Sequence, residues 1–261
     1  MLLRCFGRFR PASSFVLMMI LFALPVFFSS PAPARADSCV DCHKDTQFRV
    51  TNKKLYDYYQ EWKLSLHAQE GISCADCHGG NPKLMDKKQA HGSANINPSE
   101  KSSPVHFRNI PKTCATCHDD YFEHFRASTH YKKLIKSKEE QSGPNCVTCH
   151  ASVNTTVLNV NTVRDACAFC HNEEKDNHPE IPAKAEELLS KFLSIHRFYR
   201  YVTKRGDLDP KVFEAVEKRT KHLFAEWHSF DLPAIEKQTN ELLEFLKKER
   251  DLARARNKKG S

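Results

Sequence analysis

The sequence predicts a mainly α-helical protein with few regular elements over residues 37–180, followed by a C-terminal helical bundle over residues 181–261 and preceded by a leader, residues 1–36. Three observations carry this. The unit Cys-x-x-Cys-His occurs five times between Cys39 and His171, so densely that little chain is left to build an apolar core of its own. Gly79-Gly80-Asn81-Pro82, Pro98, Pro104 and Pro111 break any long element between the second and third copies. Beyond Pro179 the apolar residues recur at helical spacing of three and four.

The leader has the three parts of an export signal. Arg4, Arg8 and Arg10 form a basic start, residues 15–24 and 26–28 an apolar stretch broken at Pro25, and Ala34-Arg35-Ala36 a small-x-small cleavage site. The stretch is shorter than the roughly 20 apolar residues of a membrane-spanning helix, so cleavage after Ala36 is expected. An uncleaved N-terminal anchor is the alternative. Export places the chain in the periplasm, an oxidising compartment in which unprotected thiols pair.

The five units are Cys39, Cys42 and His43; Cys74, Cys77 and His78; Cys114, Cys117 and His118; Cys146, Cys149 and His150; and Cys167, Cys170 and His171. Each reads as the attachment site of one c-type haem, with two thiols for thioether bonds and an adjacent histidine for the iron. Ten of the eleven cysteines lie in these units and the eleventh, Cys5, lies in the leader, so none remains for a disulfide. Zinc would combine such pairs two by two or with spaced histidines. Five pairs leave one over, and zinc gives no reason for a histidine after every second cysteine. Five covalent haem c groups are therefore expected, and the chain wraps them.

After the first unit, residues 48–67 read as helix. Tyr58, Trp62, Ser65 and His67 recur at the same spacing as Tyr121, Phe125, Ser128 and His130, which marks a repeated haem-packing module. The stretch 151–163 is rich in Val, Thr and Asn and reads as more extended than helical. Three helices are expected after Pro179. The first carries Ala185, Leu188, Leu189, Phe192, Ile195, Tyr199 and Val202 and stops at Gly206; the second opens at Asp209-Pro210; the third opens near Asp231 and ends in a frayed basic tail.

Haem iron has two axial positions, and the second ligand sets potential and reactivity. Met85 is the one methionine beyond the leader, so most irons should be held by two histidines. Nine histidines lie outside the units. His67, His91, His106 and His130 sit within or beside the haem region and are favoured as second ligands. For the fifth place His178, His196 and His228 compete, with His124 an outsider; the ligand set is completed with His228. His196 shares a helix face with Phe192 and Tyr199, where a packed core histidine reads as well as a ligand, and His222 falls off the apolar stripe.

The formal net charge is +8, half of it from Arg4, Arg8, Arg10 and Arg35 of the leader. Two propionates on each of five haems, with the net positive charge of each ferric iron centre, would bring the remaining +4 to −1, and with ferrous iron to −6. The basic balance therefore carries no nucleic-acid signal; scattered lysines describe a solvated surface.

The strings Ser65-Leu-His67, Ile72-Ser73-Cys74 through His78-Gly79-Gly80-Asn81-Pro82, Ala90-His91-Gly92 and Ser128-Thr-His130 resemble the multihaem c-type cytochromes related to cytochrome c nitrite reductase and hydroxylamine oxidoreductase. The resemblance spans about residues 39–171. It implies closely spaced haems in parallel and perpendicular pairs, with His67 and His130 as distal ligands. The sequence departs from the nitrite reductases, which carry lysine in place of one motif histidine: all five units here end in histidine. The expected function is electron transfer between redox partners such as a quinol-oxidising membrane cytochrome and a terminal reductase. The alternative is an oxidoreductase with one five-coordinate haem acting on a small nitrogen or sulfur compound, with His124, Tyr121 or Arg126 supplying protons. The C-terminal helices offer a surface for a homo-oligomer or a larger complex.

Overall fold

The structure, a computed structural model, describes residues 37–92, 97–138, 142–175, 177–204 and 209–259. The leader and the stop expected at Gly206 lie outside them. The described residues form helices and no strand. Eleven short helices come first: α1 Ser38–His43, α2 Phe48–Thr51, α3 Lys53–Lys63, α4 Leu66–Gln69, α5 Cys74–His78, α6 Lys87–His91, α7 Ile110–Cys114, α8 Asp119–Ala127, α9 Thr129–Lys136, α10 Cys146–His150 and α11 Val160–Ala168. Three long ones follow: α12 Ile181–Lys204, α13 Pro210–Glu226 and α14 Leu232–Lys259. None is long and apolar enough to cross a membrane.

Helices this short need their free N–H groups satisfied, and capping side chains do it. Asp37 Oδ1 accepts the Cys39 N–H at 2.9 Å at the head of α1. At α5 and α10 the residues between the two cysteines take part. The Ser73 N–H donates to Asp76 Oδ2 at 2.7 Å, and Asn145 and Thr148 close a reciprocal box at 3.2 Å and 3.1 Å. The segment expected as extended turns helical at Val160, because Asn159 and Thr162 form a further box there, with the Asn159 N–H donating to Thr162 Oγ1 at 3.0 Å.

The repeated module is a helix, a serine and a second helix. Ser65 ends the run that starts at α3 and caps α4, accepting the Ala68 N–H at 3.1 Å; Ser128 does the same between α8 and α9, accepting the Tyr131 N–H at 3.1 Å. Both serines are buried. Residues 48–67 are thus three helices rather than one, and each elbow sets its histidine, His67 or His130, on the first turn of the second helix.

The two parts of the chain bury different things. Over residues 37–159, Phe125 and Leu134 are the only large apolar side chains that are fully buried among those described. Beyond them, Leu188, Phe192, Ile195, Tyr199 and Val202 form one stripe of α12, packed with Val216 and Leu223 of α13, Ile235, Leu242 and Leu246 of α14 and Val163 of α11. α13 opens as expected on Asp209, whose Oδ1 accepts the Lys211 N–H at 2.8 Å, with Pro210 at its first position. The basic tail stays helical to Lys259 instead of fraying. The two parts meet where α8 packs on α13 and on the 3-10 turn Trp227–Ser229.

Candidate haem-binding sites

The five motifs follow one another in space as they do in sequence. Cys74 lies near Cys39, Cys77 near Cys114 and Cys117, Cys114 and Cys146 share a hydrogen bond, and Cys149 lies near Cys167 and Cys170. α1 packs on α5, α7 on α10, and α10 on α11. Backbone and side-chain ties hold this order. The Ser38 N–H donates to Pro82 O at 2.8 Å across the first two motifs, and the buried Asn145 donates through Nδ2 to Phe107 O at 2.9 Å across the third and fourth.

Cys39, Cys74 and Cys149 are unlike the low-pKa thiol of a disulfide exchanger. Burial, with Asp37 beside it, pushes Cys39 up to about 11; burial also drives Cys74 up to about 12 and Cys149 up to about 11. A redox-active Cys-x-x-Cys holds a thiol well below its ordinary value. In the shared pair, the hydrogen bond lowers Cys114 and raises Cys146. No group of three or more metal-binding side chains occurs among the described residues either.

Histidines outside the motifs come to stand against histidines inside them. The ring centres of His43 and His91 are 6.4 Å apart, those of His118 and His67 6.1 Å, those of His150 and His228 6.0 Å, and those of His171 and His130 5.9 Å. Two imidazoles on opposite sides of one metal, each bonded at about 2 Å with its ring centre about 1 Å behind the nitrogen, have centres about 6 Å apart. The four pairs match that span. His171 has a second neighbour, His178, at 6.4 Å, but His178 is exposed and its Nδ1 lies 3.3 Å from Glu180 Oε1.

Second bonds orient these rings. His150 Nδ1 lies 3.0 Å from Thr156 O, His171 Nδ1 3.0 Å from Asn177 O, and His228 Nδ1 3.2 Å from Phe224 O. A carbonyl only accepts, so Nδ1 carries the proton in each and the Nε2 lone pair is free for a metal. Burial, then the neighbouring His171, pushes His130 down to about 4; burial, then His150, does the same to His228. Both imidazoles are neutral at neutral pH and ready to ligate.

The remaining candidates stand elsewhere. His106 is buried in the turn before α7, and its Nδ1 accepts the Arg108 N–H at 3.3 Å. His124 Nδ1 lies 3.0 Å from Glu226 Oε2, with His222 edge-on at 5.5 Å, and His196 lies 6.3 Å from Tyr199. Tyr121, expected from the sequence as part of the haem-packing repeat, has its ring 5.9 Å from His118 and 5.0 Å from His228 and so wedges between two of the facing pairs. Sequence reasoning missed Phe230, in a left-handed conformation with φ 57°, whose ring stands 4.4 Å from His130. The repeat containing Tyr121 was visible; its neighbour in space was not.

The apolar surface fits a bulky planar guest. Val50, Tyr58, Leu64, Leu66, Met85, Ile135 and Val157, all large apolar side chains of the motif region, are exposed. Two buried apolar side chains do not offset the conformational entropy of ordering so long a stretch. Covalently bound porphyrins would supply the missing apolar mass.

Comparison with known proteins agrees. The family model described as cytochrome c552 matches residues 43–162. The multiheme cytochrome MtrA of Shewanella baltica is 24% identical over 151 residues, 55% of this chain and 40% of that protein. Cytochrome c-552 of Desulfotalea psychrophila is 38% identical over 74 residues, 28% of this chain and 13% of that protein, and the polyheme cytochrome OmcB of Geobacter sulfurreducens is 28% identical over 130 residues, 47% and 15%. The chain thus matches between 13% and 40% of the length of these relatives. No solved structure matches. Covalent haem c is implied by the matches and accommodated by the motif geometry, and over residues 43–162 the chain is similar to multihaem c-type cytochromes.

Proposed function

We propose that this protein is a periplasmic pentahaem cytochrome that passes electrons along a row of haems, most of them held by two histidines. The observation that carries the reading is the set of four facing histidine pairs at 5.9–6.4 Å. His43 with His91, His118 with His67, His150 with His228 and His171 with His130 would hold the irons of the first, third, fourth and fifth motifs. Bound haem supplies one-electron iron chemistry. The chain's residues fix the spacing, hold each ligand in its orientation and keep it neutral. Two histidines give lower potentials than histidine with methionine, which suits respiration without oxygen.

Adjacent motifs run without a gap from Cys39 to His171, so electrons need enter and leave only near the ends of the row. A quinol-oxidising membrane cytochrome at one end and a terminal reductase at the other are the expected partners. The C-terminal helices contribute His228 to the fourth site, so this region serves the haems as well as any oligomer or complex it joins. The leader directs export, and the assembled charge gives no footing for nucleic acid. Intact-mass measurement on the exported protein tests the reading. Five haem additions on a chain beginning at Asp37 are expected; fewer would break the row.

A further inference from the structure

Resting on the haem reading above, we infer that Thr155, which lies outside the motifs and the facing histidine pairs, is a positioning residue that holds the ring of His67 in one orientation for the third iron. The contact joins residues 88 apart in the chain: Thr155 Oγ1 lies 3.3 Å from His67 Nδ1. With Nε2 kept for iron, Nδ1 carries the proton and donates it to the hydroxyl. His67 thereby gains the second bond that backbone carbonyls give to His150, His171 and His228. A side chain does here what the main chain does there.

Thr155 holds this place at a conformational cost. Its φ is 45°, in the left-handed region that a β-branched side chain avoids. Glycine or asparagine takes such a position readily, but neither carries a hydroxyl. Hydrogen bonds on either side fix the segment. The Thr155 N–H donates to Ser152 O at 3.4 Å, the Thr156 N–H to His150 O at 2.6 Å and Thr156 Oγ1 to Asn154 Oδ1 at 3.0 Å. Strain persists where the surroundings over-determine it, and it gathers where a side chain has a task. The next residue serves the neighbouring site, since Thr156 O accepts from His150 Nδ1 at 3.0 Å. Successive residues thus orient one imidazole at the third site and one at the fourth, while the Tyr121 ring stands between His118 and His228 of the same two sites.

The test uses the exported holoprotein carrying five haems by intact mass, with His67→Leu marking the third iron by turning its signal from low spin to high spin. Thr155→Val removes the hydroxyl and keeps the branched shape, Thr155→Ser keeps the hydroxyl, and Thr155→Gly removes both the hydroxyl and the backbone strain. An imidazole that loses its acceptor at Nδ1 is a weaker donor to iron, which favours the ferrous state. In Thr155→Val the g values of the third iron should shift and its midpoint potential should rise, with the other four irons unmoved. Thr155→Ser should match the unaltered protein. Thr155→Gly should shift the third iron as Thr155→Val does while its thermal midpoint rises, a split that a purely structural role would not produce. The inference is overturned if Thr155→Val leaves the third iron unchanged, if Thr155→Ser shifts it as far, if Thr155→Gly leaves it as in the unaltered protein, or if all five signals move together. Should Thr155→Val not mature, the other two variants still decide. A shortfall in haem mass, or low-spin iron throughout in His67→Leu, would instead strike the reading on which this rests.

Discussion

Residues 37–159 and 181–259 are both helical, yet they are held in opposite ways. The C-terminal part buries Leu188, Phe192, Val202, Val216, Leu223, Ile235 and Leu246 almost completely, whereas the motif part buries only Phe125 and Leu134 among its described large apolar side chains and exposes Val50, Leu64 and Val157. Hydrogen-bonded caps and elbows give the first region its local shape, but its apolar mass has to come from the cofactor. Secondary structure alone does not tell the two apart; the destination of the apolar side chains does.

Withholding haem should have the largest effect on this contrast. Protein made without haem attachment is expected to lose protease resistance across residues 37–159 while helices α12, α13 and α14 survive as fragments; uniform resistance along the chain would refute the contrast. Next come core truncations. Leu188→Ala, at a fully buried position, should lower stability by roughly 2–5 kcal/mol in denaturant unfolding of the holoprotein. Leu64→Ala, at an exposed position of the motif region, should change haem spectra more than stability.

His228 joins the two regions, and His228→Leu should convert the fourth iron from low spin to high spin, visible by electron paramagnetic resonance, with His196→Leu as the silent control. Smaller still, Ser65→Ala and Ser128→Ala each remove a helix cap and should cost about 1 kcal/mol. They should also loosen His67 and His130, broadening the low-spin signals of the third and fifth irons. Ala151→Gly should run the other way. Ala151 follows His150 with φ 62° and ψ 176°, close to the conformation that Gly79 takes after His78 with φ 75° and ψ −160°; relief of that strain should stabilise by about 1 kcal/mol. Thermal unfolding would check both.

Much of this was legible in the sequence because it is local. The five motifs are contiguous strings, and the stripe from Ala185 to Val202 is a period of one helix. The serine elbows were visible as a repeat, but not as breaks, since a cap competes with helix continuation and only geometry decides. Which histidines stand against which motif histidines was not legible. His67 precedes the second motif yet stands against His118 of the third, and His228 comes from the turn that follows α13 to stand against His150. His106 carried the same loop signal as His91, but the turn before α7 directs its Nδ1 to the Arg108 N–H.

The most direct test of the central claim is a structure of the haem-loaded protein that gives the iron–nitrogen distances. His91, His67, His228 and His130 are predicted to bind opposite His43, His118, His150 and His171 respectively, at about 2 Å. Irons paired with other residues, or lying outside these four histidine pairs, would contradict it.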